Sequence, residues 1–136
     1  MVRLIMGTKG SGKTKKLIEL INNAAKDEPG HVICIEANRS LSHDIHYQIR
    51  LIEASEYKLN SYDVYRGFIS GLYAGNFDIT HMFIDNLCKT VGRGVDKDTE
   101  AFIHWLDSFG ESNGIKFTVT ISADPSVLSE DMQRYL

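Results

Sequence analysis

Gly7-Thr8-Lys9-Gly10-Ser11-Gly12-Lys13-Thr14 is the stretch on which the reading of this chain turns. It fits the pattern G-x-x-x-x-G-K-[ST] and stands in the context that pattern needs. A short apolar run, Val2 to Met6, precedes it and has the length of a buried strand. An amphipathic stretch, Leu17 to Ala25, comes after it and reads as a helix. Glycines let such a loop wrap closely round a phosphate, because a Cβ would block both the approach and the backbone angles required. The N–H groups of the loop and of the helix N-terminus then point at the anion. The spacing therefore assigns Gly7, Thr8, Lys9, Gly10, Ser11, Gly12, Lys13 and Thr14 to the binding of a nucleoside triphosphate. Lys13 reaches its terminal phosphates and the Thr14 hydroxyl is a ligand for Mg²⁺.

Outside this stretch, the length of 136 residues predicts one domain over 1–136, large enough to bury a core. A net charge of -3 carries no electrostatic footprint for nucleic acid or for an anionic membrane. Two cysteines, Cys34 and Cys88, are too few for a zinc knuckle or a disulfide framework, which points to a reducing, cytoplasmic compartment. The apolar run at the N-terminus is too short for a signal peptide. No stretch approaches the ~18 apolar residues of a membrane span.

Taken in order, the sequence predicts a strand at Val2–Met6, a helix from Gly12, and a break at Asp27-Glu28-Pro29-Gly30. His31 to Ile35 is a near-continuous apolar run, the mark of a strand covered on both faces in a parallel sheet. Residues 37–47 are polar, with room for one short helical turn. A weaker third strand, Ile49 to Glu53, belongs at an edge. Asn60-Ser61 offers an N-cap for a helix from Tyr62 to about Ala74, with Val64, Phe68, Ile69 and Leu72 at core spacing. Gly67, Gly71 and Gly75 leave one stripe of that helix bare, which suggests close packing on the sheet. Thr80 to Asp85 reads as a strand ending in an acid. Next come a loop from Asn86 to Lys97, a helix from about Asp98 to Phe109 stopped by Gly110 to Gly114, and a strand from Ile115 to Ser122. In that last strand Phe117, Val119 and Ile121 alternate with Lys116, Thr118 and Thr120. Asp124-Pro125 then caps a final helix, Ser126 to Tyr135.

The alternation predicts an α/β fold, a mostly parallel five-stranded sheet with helices on both faces. Ligands bind such sheets at the carboxyl ends of the strands. The eight-residue loop, Glu36, Asp85 and Ser122 all fall there.

On these residues the chain resembles the P-loop nucleoside triphosphate-binding proteins, Gly7–Thr14 being the Walker A motif and Asp85 matching the Walker B aspartate that orients Mg²⁺. The layout is similar to the RecA-like branch, which implies a polar sensor residue at another strand end, Ser122 or Asp124; Asp124 alternatively caps the last helix. A hydrolase of this branch often carries a glutamate directly after the Walker B aspartate, and here Asn86 stands there. An amide cannot act as a base. The resemblance then directs attention to the end of a neighbouring strand, where Glu36 is placed to polarise water or, alternatively, is a solvated strand-end carboxylate.

The core is also similar to that of the small thymidine kinases, but it lacks their glutamate after the Walker B aspartate and any Cys-x-x-Cys for a zinc-bearing lid. The whole chain resembles small clostridial-type P-loop proteins labelled as twitching-motility (PilT-like) ATPases. The likeness is carried by Val2-Arg3-Leu4-Ile5, Gly10-Ser11-Gly12-Lys13-Thr14-Lys15-Lys16 and Ser122-Ala123-Asp124-Pro125. The resemblance implies ATP with Mg²⁺ as ligand, since no Asn-Lys-x-Asp guanine motif appears, and Lys13, Glu36 and Asp85 as the catalytic set. It implies a slow ATPase, with a nucleotide-sensing module without turnover or a small-molecule kinase as alternatives. A partner protein or a homo-oligomer stays open. Arg93, between Gly92 and Gly94, and Arg39 are each either an arginine finger or a solvated loop residue. The histidines His43, His46, His81 and His104 show no ligand spacing.

Overall fold

A computed structural model describes residues 1–37, 41 and 44–136 of the chain. Five strands form one sheet: β1 (Val2–Met6), β2 (His31–Glu36), β3 (Arg50–Glu53), β4 (Ile79–Ile84) and β5 (Lys116–Ile121). Their order is β1-β5-β4-β2-β3, and every neighbouring pair is parallel. The expected α/β fold with a parallel five-stranded sheet is the fold observed, with β3 at an edge as its weak pattern suggested. Arg39 and His43 lie outside the described residues.

Two apolar layers cover the sheet. On one face α1 (Lys13–Asp27) buries Leu17, Ile21 and Ala24 against Val32, Cys34 and Phe83. The other face carries the larger core, in which Leu4, Ile35, Met82, Ile84, Val119 and Ile121 meet α2 (Tyr62–Gly75) and α4 (Lys97–Asn113). Side chains alternate between the faces of a strand. Cys34 and Phe83 point towards α1, so Glu36 and Asp85, two residues further on, share that face.

Local chemistry sets the helix limits. Ser61 accepts a hydrogen bond from the Val64 N–H and so caps α2. Asp96 and Thr99 form a reciprocal capping box at the start of α4. That helix does not stop at Gly110 but runs on to Asn113, and Gly114 ends it in the left-handed region.

Other expectations need correction. The loop after Asp85 holds a short helix, α3 (Leu87–Val91), whose Leu87 and Val91 are buried. The final α-helix is instead two 3-10 segments, Pro125–Val127 and Glu130–Tyr135. Thr118 and Thr120 of β5 are buried as fully as their apolar neighbours, because β5 is an interior strand with both faces covered. Val64 is exposed, whereas Ile69 is buried as expected, Phe68 and Leu72 are partly buried, and Tyr62 and Tyr65 join the core of α2. The glycine stripe of α2 does not press on the sheet: a Cβ at Gly67, Gly71 or Gly75 would meet nothing within 4 Å. No helix among the described residues is long and apolar enough to cross a membrane.

Candidate functional site

The carboxyl ends of β1, β4 and β5 surround a cleft of about 980 Å³. The sequence between β1 and α1 makes one wall. Gly10 and Gly12 both hold φ of 87°, a left-handed conformation that costs glycine nothing and L side chains considerably. At Gly7 a Cβ would run into the Ser11 side chain. The loop closes on itself through the Ser11 N–H, which donates to the Thr8 carbonyl at 3.1 Å. Lys13 folds over it and donates from Nζ to the same carbonyl oxygen, also at 3.1 Å. Lys9, Gly10, Gly12, Lys13 and Thr14 line the cleft.

Asp85 faces this loop from the tip of β4. Its N–H donates to the Ile35 carbonyl at 2.8 Å, which continues the β2–β4 pairing one step past the strand. Burial pushes its carboxyl pKa up, against the hydrogen bond from Thr120 and the positive charges of Lys13 and Lys89. Thr120 does more than fill the sheet. Its hydroxyl donates to Asp85 Oδ1 at 3.0 Å and accepts from the Asn86 N–H at 2.8 Å. Asn86 takes a left-handed backbone, φ 52° and ψ 57°, a conformation asparagine tolerates better than most residues. Its carbonyl accepts from the Thr90 N–H, and its side-chain oxygen from the Ser122 hydroxyl at 3.3 Å. The position where a hydrolase of the resembled branch often has glutamate is thus a turn residue tying β4, β5 and α3 together.

Of the other candidates, Ser122 lines the cleft. Asp124 is fully exposed and accepts from the Ser126 N–H at 2.9 Å, so its structural work is to cap the first 3-10 segment. Glu36 ends β2, the strand beside that of Asp85, and is 2% exposed; it is absent from the residues lining the cleft. It is a buried strand-end carboxylate, not a solvated one. Arg93 lines the cleft, but its guanidinium pairs with Asp96 and, at 2.7 Å, with Asp98. Those carboxylates raise its pKa further, and the guanidinium lies 5.7 Å from the centre of the Tyr62 ring.

Two contributors were missed from the sequence. Lys89 on α3 adds a third lysine to the cleft wall, beside Lys9 and Lys13. Nothing local marks it, because its place depends on a helix hidden in a loop-like stretch. Thr120 carries a faint signal: it stands two residues before Ser122 on the same face of β5.

The oxygens at hand, the Thr14 hydroxyl and the Asp85 carboxylate, are hard donors of the kind Mg²⁺ takes. Two protein oxygens suit that ion, which keeps waters and phosphate oxygens for its remaining positions. Among the described residues no group of three or more His, Cys, Asp or Glu side chains is arranged to hold a metal.

The chain shares its fold with a solved archaeal protein. The crystal structure of the flagellar accessory protein FlaH from Methanocaldococcus jannaschii matches 98% of this chain, with a TM-score of 0.53 and 12% identity. The fold is RecA-like. The chain spans 65% of the length of FlaH, and identity at this level speaks for the fold alone. No protein-family model and no curated protein matches the sequence.

Proposed function

We propose that this chain is a P-loop nucleotide-binding domain that takes ATP with Mg²⁺ in the cleft beside Gly7–Thr14. The observation carrying the reading is the meeting, in one cleft, of a left-handed glycine loop, Lys13, Thr14 and the half-buried Asp85. The loop presents its N–H groups to the β- and γ-phosphates. Lys13, released from the Thr8 carbonyl, neutralises their charge, while the Thr14 hydroxyl and the Asp85 carboxylate would hold the metal. Bound Mg²⁺ supplies charge neutralisation at the phosphate oxygens. Three lysines and one carboxylate along the cleft leave a positive surface for the polyphosphate. Within the RecA-like fold, kinship with the small PilT-like ATPases belongs to this same reading, as does the placing of 1–136 as one cytoplasmic domain.

The test is a thermal-melt series. ATP with Mg²⁺ at one hundred times its Kd stabilises a one-site binder by about 2.7 kcal/mol. Wild type therefore melts several degrees higher with the nucleotide, and Lys13→Ala does not. Equal melting curves with and without nucleotide in the wild type would sink the proposal.

Turnover is a second reading, favoured by the place of Glu36 at the strand tip next to Asp85. Because Glu36 is buried, hydrolysis through it requires the tip of β2 to open towards the cleft, and the rate is slow. Loss of a general base costs ~10²–10⁴-fold in rate. Glu36→Gln therefore spares nucleotide affinity and removes most phosphate release. A variant that hydrolyses as fast as wild type moves the base elsewhere, and no release in either leaves the nucleotide-sensing role.

A further inference from the structure

At the opposite end of the sheet from the P-loop, a second cavity of about 620 Å³ lies between α2 and the β2–β3 edge. His31 and Ile79, the first residues of β2 and β4, and Asn76, just past α2, mark this end. The volume is in the range of small-molecule pockets. Sheet residues Ile33, Ile52 and Ile79 form one wall, and Phe68 and Leu72 of α2 the other. The glycine stripe explains the gap. Gly71 and Gly75 line the cavity, and a Cβ on either would touch nothing within 4 Å. Ordinary side chains would fit there and would favour the helix. Internal packing therefore does not require the bare stripe.

The walls are apolar, branched on the sheet side and partly aromatic on the helix side through Phe68, and the lining also carries polar side chains. Arg50, at the start of β3, is one of them, and no ion pair joins its guanidinium to an acid among the described residues. Asn76 also lines the cavity, and its side-chain oxygen accepts from the Asp78 N–H at 3.0 Å, which fixes the orientation of that amide. The Asn76 NH₂ group then donates to His31 Nδ1 at 2.9 Å, so a neutral His31 carries its proton on Nε2. The cavity lining thus includes two residues that can donate to an anion, the arginine Arg50 and the histidine His31. An apolar slot with a guanidinium in its lining complements a molecule with an aliphatic body and one carboxylate, which guanidinium binds through two parallel hydrogen bonds.

We propose that this cavity binds a medium-chain aliphatic carboxylate, with its chain between the isoleucine wall and α2 and its head on Arg50. The inference does not depend on the nucleotide reading, since no residue of the P-loop cleft takes part. Each methylene buried between the walls strengthens binding roughly fourfold.

Octanoate and its uncharged counterpart 1-octanol serve as probes in an amide-resolved NMR titration of the whole chain. Octanoate is expected to move the amide signals of Arg50, Ile52, Gly71 and Gly75 in a saturable way and to leave those of Gly10 and Gly12 unmoved. Gly71→Leu fills the slot. It weakens octanoate at least tenfold without lowering the melting temperature, because leucine is the better helix former. Arg50→Gln weakens octanoate about tenfold, the usual worth of a hydrogen bond to a charged group, and leaves octanol unchanged. Three outcomes overturn the proposal. One is the absence of saturable shifts at millimolar octanoate. The second is a folded Gly71→Leu variant that binds as well as wild type. The third is an Arg50→Gln variant that keeps wild-type octanoate affinity or weakens both probes alike.

Discussion

Lys13 and Asp85 announce themselves by motif, yet the residue that arranges the tip of the Asp85 strand is Thr120. One hydroxyl satisfies two groups there, as donor to the Asp85 carboxylate and as acceptor for the Asn86 N–H. Both partners are only part-exposed, so removing the hydroxyl leaves a charged acceptor and a backbone donor short of a hydrogen bond. Such groups cost about 1–3 kcal/mol when orphaned. Thr120→Val, which keeps shape and β-branching, is therefore expected to lose that much in urea denaturation, while Thr120→Ser, which keeps the hydroxyl, stays near wild type. A valine variant as stable as the parent would show that water takes over both bonds. Read in one dimension the chain gives this residue only a faint signal, because its partners lie 34 and 35 positions away and the neighbouring strand is set by topology. Asn86 stands out in the sequence for the glutamate it replaces; its role in holding a left-handed turn emerges only from its backbone angles.

At the scale of an element, the two long helices that cover the larger core give the same residue opposite meanings. Gly110 lies inside α4, where a Cβ would collide with the Ile115 carbonyl oxygen and press on the Phe117 ring at 3.4 Å. Gly67 lies inside α2 with open space where its Cβ would be. Gly110→Ala is thus expected to destabilise by roughly 1–3 kcal/mol through overpacking against backbone that has nowhere to go. Gly67→Ala is expected to stabilise by roughly 0.5–1 kcal/mol through helix propensity alone. Chemical denaturation of the two variants side by side checks the pair, and the contrast fails if both move in one direction. Sequence reading reversed these roles, expecting the α2 glycines to lie close to the sheet and Gly110 to end α4. Helical periodicity reports which face is apolar but not how far that face stands from its neighbour. The last helix misled for a related reason. Asp124 does act as a cap, but the chain after Pro125 winds as 3-10 turns that bury Met132 and Tyr135.

For the molecule as a whole, the apolar runs at Val2–Met6 and His31–Ile35 and the strand pattern at Thr80–Asp85 made a parallel sheet legible, and the loop at Gly7–Thr14 pointed to the end of the sheet where the cleft lies. Strand order was not, since any chain of strands and crossover helices allows several; β5 lies between β1 and β4, which brings Ser122 and Thr120 into the cleft. The same order gathers a polar cluster at the far end of the sheet that no motif foretells. His81 of β4 is largely buried and stacked on Phe83, with Nε2 2.9 Å from the Thr118 hydroxyl and Nδ1 3.6 Å from Glu28 Oε2. Lys116 of β5 donates to that same Glu28 oxygen at 2.8 Å. Burial pushes the His81 pKa down to about 4, helped by Lys116 and opposed by Glu28. An unfolded histidine takes up its proton near pH 6.5. Between those values the unfolded chain binds a proton that the folded chain refuses, so stability rises with pH across the window. The full contribution is present above about pH 6.5 and is lost as the pH falls towards 4; it amounts to about 3 kcal/mol. Glu28, held below its ordinary pKa, works in the same direction at the acid end, whereas Asp85, raised by burial, works against it. A comparison of wild type with His81→Gln isolates the histidine from these neighbours. Urea denaturation at pH 7 and pH 4.5 is expected to show a steep loss in wild type and a loss smaller by up to about 3 kcal/mol in the variant. Equal losses would mean that the imidazole, inside the folded sheet, already takes its proton as readily as it does in the unfolded chain.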